Sequence, residues 1–502
     1  MNRKHVITAL LSVLIIASFL RIYNLMPMDK SGSFSPPGLY PDEAMNGNNV
    51  VEAMANNDLK IFYSENFGRE GLFLNIQGLS IRAFGHTPWA LRLPSALFGI
   101  FTVLGMYFLA KQLYSSENLA LFSAFLLATS FWHVHFSRIG FRAIMAPAFL
   151  TWGVYLFLKT LNQSPHHLKD FKRKILHWLL PVCGGLIYGL GFYSYIAYRA
   201  TPLLMMAIAY LIFRNFRNEN RAFPMKEFLV FTIVAVLTTL PIGIYFLQHP
   251  ADFFGRTTGI SVFNSPSPIF DLGFNVVKTL GMFNVVGDFN WRHNLAGSPQ
   301  LSLSVGIFFL YGIWLAVKKI RREKLAAIPE FAVLGWFLIV MLPVIISNEG
   351  LPHALRAILM IPPVFVLAAS GGIGIHDLFK KHLKPAGLKY ITWLFFLMLI
   401  LEVYASYFMI WSNRIEAKDS FAYQDYLLAE QINSLPLQLK KYIVVRDTQG
   451  IIQRDYPISL QSVLFLTDTF SAEKRAEKNI SYITPEQFKN LPKKLDGMLI
   501  KL

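Results

Sequence analysis

The sequence predicts a polytopic α-helical membrane protein ending in a small α/β domain. Three observations carry this. Of 502 residues, 54% are hydrophobic and only 15% are charged, with a mean hydropathy of +0.42. A soluble chain of this size holds more charge. Apolar runs of roughly 18–22 residues recur, which matches a ~30 Å hydrocarbon core at 1.5 Å rise per residue. Lys and Arg cluster in short segments between the runs, as the positive-inside rule requires. The runs are too long and too uniform for barrel strands. The net charge of +17 is therefore a topology signal, and nucleic acid is not an expected partner.

The elements follow in chain order. Arg3-Lys4-His5 precedes the first apolar run, which Arg21 and Tyr23 close. No small-x-small cleavage site follows, so it reads as an uncleaved span. Spans are expected at 6–25, 88–110, 117–134, 143–160, 175–195, 200–213, 227–247, 301–317, 329–347, 355–374 and 389–411, about eleven in all. The run at 200–213 is short. With the N-terminus cytoplasmic, the basic loops Lys159 to Lys174, Arg214 to Lys226, Lys318 to Lys324 and Lys380 to Lys389 all fall inside. The expected setting is a cell membrane, the inner one of a bacterium, crossed many times.

Three outer regions are long: 26–87, 248–300 and the tail. In the first, Pro41 to Asn57 reads as a helix, started by Pro41 and stopped by Asn56-Asn57-Asp58. Gly71 to Phe84 is amphipathic and suited to lie along the membrane surface. In the tail, Lys441–Val445, Val463–Leu466 and Asp496–Ile500 read as strands and Ser420–Asn433 as a helix. This divides the chain into a membrane domain, 1–411, with the site on its first outer loop, and an extracytoplasmic α/β domain, 412–502. The single cysteine, Cys183, allows neither an intrachain disulfide nor a cysteine metal site.

The chemistry-bearing residues gather in the outer segments. Tyr40-Pro41-Asp42-Glu43-Ala44 sets two acids side by side, and Gly68-Arg69-Glu70-Gly71 adds a third. On a helix starting near Pro41, Asp42 shares a face with Met45, Asn46 and Asn49. The positive end of the helix dipole favours the ionised carboxylate that a general base needs. Glu43 is turned by about 100° from it. An acid in a first turn also commonly serves as a cap, and Glu70 equally suits a pairing with Arg69. Outer cations come from separate elements: Arg138 and Arg142, Arg199 beside Tyr195, Arg292 with His293, and Arg356 after His353. Outer arginines run against the charge bias, and the guanidinium fork matches phosphate oxygens. Arg82 and Arg92 read as lipid-headgroup contacts. Acids and arginines on one face suit transfer of a sugar from a lipid-linked phosphate, with a base on the acceptor and cations on the leaving group.

These motifs resemble the GT-C glycosyltransferases related to protein O-mannosyltransferases and the aminoarabinose transferases of lipid A, over residues 6–411. Asp42 matches the family's catalytic acid and Glu70 the acid before its surface helix. Leu91-Arg92-Leu93-Pro94-Ser95 is similar to the Arg-x-Pro lead-in of the next span, and Arg356 with Pro362-Pro363 to the late arginine and proline pair near the lipid phosphate. The resemblance implies an outward-facing hexosyl- or pentosyltransferase with a polyprenyl-phosphate sugar donor and inverting displacement. It makes Asp42 and Glu70 catalytic and sets Arg356 near the lipid phosphate; from the residues themselves, Glu43, Arg69, Arg138, Arg142, Tyr195, Arg199, Arg292, His293 and Arg356 are the expected substrate-binding set. The acceptor would be a protein, a glycolipid or a cell-wall polymer. No residue is assigned to a metal, although a divalent ion is compatible. The acids are adjacent and not spaced Asp-x-Asp, which speaks against the metal-dependent oligosaccharyltransferase branch.

Other features are read structurally. His133 and His135 are at i and i+2, on different helix faces, and His166-His167 lies in a basic inner loop. Gly185 and Gly189 have the spacing of a close helix contact. No phosphate-cradling Gly loop, nucleotide fold or nucleophile elbow is present, which disfavours a nucleotide-sugar donor. The rival reading is a transporter or flippase for a lipid-linked or anionic solute. That class binds near the midplane and often carries repeats; here the halves show no similarity and the charges collect at one face. A scaffold recruiting partners through its tail would leave the acid pair unexplained.

Overall fold

The computed structural model describes residues 2–26, 34–162, 171–445, 452–453, 456–490 and 496–501. His166-His167 lies outside them. Among the described residues, ten helices are long and apolar enough to cross a membrane. The expected span at 117–134 is not continuous. It splits into Glu117–Ala128, an apolar helix of 12 residues, and Phe131–Phe136. The break falls at Thr129-Ser130, where the Ser130 hydroxyl accepts from the His133 backbone and caps the second piece. The short run at 200–213 is part of a longer span, Ile196–Asn218 of 23 residues.

The chain forms two compact units. The first comprises Met1–Arg21, Ala96–Ser137 and Arg142–Tyr407. Its helices are drawn together by small residues. A methyl group added at Gly312 would lie 1.9 Å from the Leu367 carbonyl oxygen, and one at Gly371 1.9 Å from that of Phe308. Helices Leu303–Glu323 and Ile361–Phe379 therefore touch backbone to backbone. Gly185 and Gly189 serve Met225–Gln248 in the same way, facing the Phe231 and Ala235 carbonyls. In lipid, where hydrophobic exclusion of water is lost, such close packing holds helices together.

The second unit comprises Ile22–Ser95, Arg138–Phe141 and Phe408–Leu502. The segment that follows the first span and the tail share one core, with Leu39, Val50, Leu74, Leu91, Tyr426 and Phe465 all buried. Helix Pro41–Ala55 and helix Gly71–Phe84 form where the sequence signals place them. The tail holds a three-stranded parallel sheet with Lys441–Val444 in the centre, Ile480–Ile483 on one side and Met498–Lys501 on the other. Lys441 is in register with Ile480 and Met498. One expected strand is overturned: Val463–Leu466 lies in a helix, Gln461–Leu466. Its four apolar residues are all buried, and a short continuous apolar run fits a buried helix as well as a strand. Strand Ile480–Ile483 takes the place in the sheet.

Candidate functional site

The acid-bearing helix of the second unit begins at Pro41, whose fixed φ suits a first helical position. Asp42 is half-buried, and its Oδ1 accepts from Asn66 Nδ2 at 3.1 Å. Asn66 sits in the turn of a hairpin, Phe62–Tyr63 paired antiparallel with Arg69–Glu70. Asn66, Phe67 and Gly68 all have positive φ; a methyl group on Gly68 would also strike the Phe62 ring. The same hairpin reaches further along the helix. Arg69 donates to Asn46 Oδ1 at 2.7 Å and Asn49 Oδ1 at 2.8 Å, with Glu65 at 3.8 Å. The polar face carrying Asp42 is thus lined by the 62–70 hairpin. Glu70 is 2% exposed at the position preceding helix Gly71–Phe84.

Glu43 faces the interior and is 0% exposed. Its carboxylate takes Arg92 Nε at 2.9 Å and a second Arg92 nitrogen at 2.8 Å, a two-pronged pair. Gly140 N donates at 2.6 Å and Tyr40 N at 3.2 Å. Arg92, also 0% exposed, gives its remaining donors to the Pro36 and Gly38 carbonyls at 2.8 and 3.0 Å. Two expectations are corrected here. Arg92 is not a headgroup contact, because no part of it reaches the surface. Glu43 does not line a substrate surface, because both its oxygens are occupied inside the protein. Arg138 is likewise fully buried, donating to the Tyr23 and Ser35 carbonyls at 2.7 Å with its guanidinium 4.8 Å from the Phe408 ring centre. It braces the backbone.

The other candidates belong to the first unit. Arg142 and Tyr195 are half-buried at the starts of short helical turns. Arg199 donates to the Phe253 carbonyl and lies over the Phe246 and Phe253 rings at 4.6 and 4.5 Å. Arg356 is paired with Glu349 at 2.9 Å and also donates to Ser347. Arg292 Nε donates to Asn290 Oδ1 at 3.1 Å. His293 Nδ1 donates to Asp288 Oδ2 at 3.0 Å, and His353 Nδ1 stands 3.8 Å from the same oxygen. Burial holds the His293 imidazole below its ordinary pKa; Asp288 opposes this, while Arg292 and Arg356 add to it. The structure therefore gathers Arg292, His293 and Arg356 around a group that residue-by-residue reading left unassigned: Asp288, His353 and Glu349. The Asp288-x4-His293 spacing is visible in the sequence, but the third member comes from a distant loop. His133 and His135 do not form a metal pair. His133 Nδ1 meets Arg21 at 2.7 Å and His135 Nε2 meets the Arg292 carbonyl at 2.7 Å.

Residues 72–245 match the family described as dolichyl-phosphate-mannose-protein mannosyltransferase. No curated protein sequence matches the chain. Among solved structures, ArnT from Cupriavidus metallidurans is similar in its apo state, with a TM-score of 0.54 at 14% identity over 98% of this chain and 91% of that one. The same protein bound to undecaprenyl phosphate gives 0.53 at 14% identity. The Archaeoglobus fulgidus oligosaccharyltransferase, tethered with an acceptor peptide containing the NVT sequon, gives 0.50 at 16% identity over 98% of this chain. The present chain spans 66% of that protein's length, just under two thirds. At these identities the structural likeness defines the fold. The chain therefore has the GT-C fold of these membrane proteins, and over residues 72–245 it is similar to the mannosyltransferase family.

Proposed function

We propose that the protein transfers a sugar from a polyprenyl-phosphate donor to an acceptor outside the cytoplasm, with Asp42 as general base. The observation that carries this is the setting of Asp42. It is the acid of the adjacent pair that stays partly open, at a helix start, with one oxygen oriented by Asn66. Glu43 beside it is consumed by Arg92. In the reaction, the acceptor heteroatom attacks the anomeric carbon and its proton passes to Asp42. The bond from that carbon to the phosphate oxygen breaks, inverting the centre, and the electron pair leaves with the polyprenyl phosphate. The undecaprenyl phosphate bound to ArnT supports a donor of this class, and the sequon peptide tethered to the archaeal oligosaccharyltransferase supports a protein acceptor.

The test compares envelope glycans, glycoproteins and glycolipids by mass spectrometry in cells with and without the gene, and with Asp42→Asn restored in its place. A sugar lost in the deletion and not recovered by Asp42→Asn at equal membrane abundance is the expected result, with turnover down by about 10²-fold or more. Full recovery by Asp42→Asn removes the proposed base.

A further inference from the structure

Asp288, His293 and His353 bring one carboxylate oxygen and two imidazole nitrogens within 4.8 Å of one another. The carboxylate is held on both sides. Its Oδ1 accepts from Asn290 N at 2.8 Å, and its Oδ2 from Ala354 N at 2.8 Å. The two imidazoles lie against each other, ring centres 4.8 Å apart and planes at 31°, and both turn Nδ1 toward Oδ2. His293 Nδ1 meets Oδ2 at hydrogen-bond distance, 3.0 Å, and His353 Nδ1 also takes the Arg356 backbone N–H at 3.4 Å, two contacts that a bound ion would replace. A zinc-class ion makes bonds of about 2.0–2.1 Å to such ligands, so in a tetrahedron its donor atoms stand a little over 3 Å apart. The 3.0 and 3.8 Å separations bracket that spacing. Backbone N–H bonds that fix the carboxylate are the outer support such a site needs.

We infer that Asp288, His293 and His353 form a binding site for a zinc-class divalent cation that ties the 282–301 loop to the loop before Arg356. Two nitrogens and one oxygen select zinc or cobalt over magnesium or calcium, which take oxygen shells. Three protein ligands leave a fourth position for water or an anionic oxygen. The nearby cations do not prevent occupancy: Arg356 is paired with Glu349, and Arg292 is turned onto Asn290. The site is independent of the proposed transfer reaction, since a transporter would carry it equally well.

The experiment is Co²⁺ titration of the full chain, purified in detergent without a polyhistidine tag and stripped with chelator. One equivalent should bind with the visible absorption bands of four-coordinate cobalt, and Zn²⁺ should displace it. His353→Gln, at the half-buried ligand, should keep the fold and weaken Co²⁺ by about tenfold or more, as should Asp288→Asn. Absence of these bands in the folded wild-type chain at excess Co²⁺ overturns the site. So does an unchanged affinity in both variants.

Discussion

At the residue scale, the adjacent acids Asp42 and Glu43 have opposite fates because a helix turns them about 100° apart. Asp42 remains at the polar face; Glu43 enters the interior, where a carboxylate is tolerated only if paired and hydrogen-bonded. Arg92 and two backbone N–H groups meet that demand. Removing one partner strands the other charge. Arg92→Ala should therefore destabilise the protein by about 3–5 kcal/mol, read as a large fall in unfolding temperature in detergent. Glu43→Gln combined with Arg92→Met should recover much of the loss, because neither charge is then buried. An Arg92→Ala protein within about 1 kcal/mol of wild type would mean that the pair is not a structural unit. The sequence showed the turn between the two acids but not the partner, since Arg92 stands 49 residues away. Arg92 was legible as a cation near a membrane surface, and only the packed structure reveals that it never reaches one.

At the element scale, local signals worked where they were local. Pro41 and Asn56-Asn57 bound the acid-bearing helix, and Gly71 to Phe84 is seen at those limits. They failed where period is ambiguous, at Gln461–Leu466, whose apolar run carries no alternation. That helix ends beside a titratable group. His86 lies 3.5 Å from Asp468, with its ring 5.3 Å from that of Phe465. Burial holds His86 below its ordinary value of 6.5; Asp468 pulls the other way, and Lys478 and Lys474 reinforce the lowering. The folded state thus prefers the neutral ring. Its contribution to stability is complete above the unfolded value of 6.5 and is lost as pH falls from there toward the lower folded value. Amide exchange across 461–466 should quicken between pH 7.5 and pH 5.5, after correction for intrinsic rates. His86→Gln should flatten that dependence. An equally steep dependence in the variant would assign it to other groups.

At the scale of the whole molecule, the second unit is assembled from chain segments that lie hundreds of residues apart. Asn48 Nδ2 donates to the Gln461 side chain at 2.9 Å and to its backbone oxygen at 3.1 Å, across a separation of 413 residues. Ser462 Oγ donates to the Leu39 carbonyl at 2.7 Å. Gly47 is a glycine because Phe465 occupies the space where its side chain would stand, 2.4 Å from an added methyl group. Hydropathy made the membrane spans readable, but it has no means of showing that a polar tail completes the core beneath the acid-bearing helix. This gives the tail a specific physical role: it buries the back of helix Pro41–Ala55 and so fixes the direction of Asp42 on its front. Phe465→Ala removes a fully buried ring from that contact and should cost about 3–5 kcal/mol. It should also increase proteolytic cleavage and amide exchange across 41–55, and lower transfer activity although position 465 carries no chemistry. A chain ended at Trp411 should show the same loss of protection more severely while its spans still insert. Unchanged protection of 41–55 in both proteins would detach the tail from the support of Asp42, and its function would then have to be sought elsewhere.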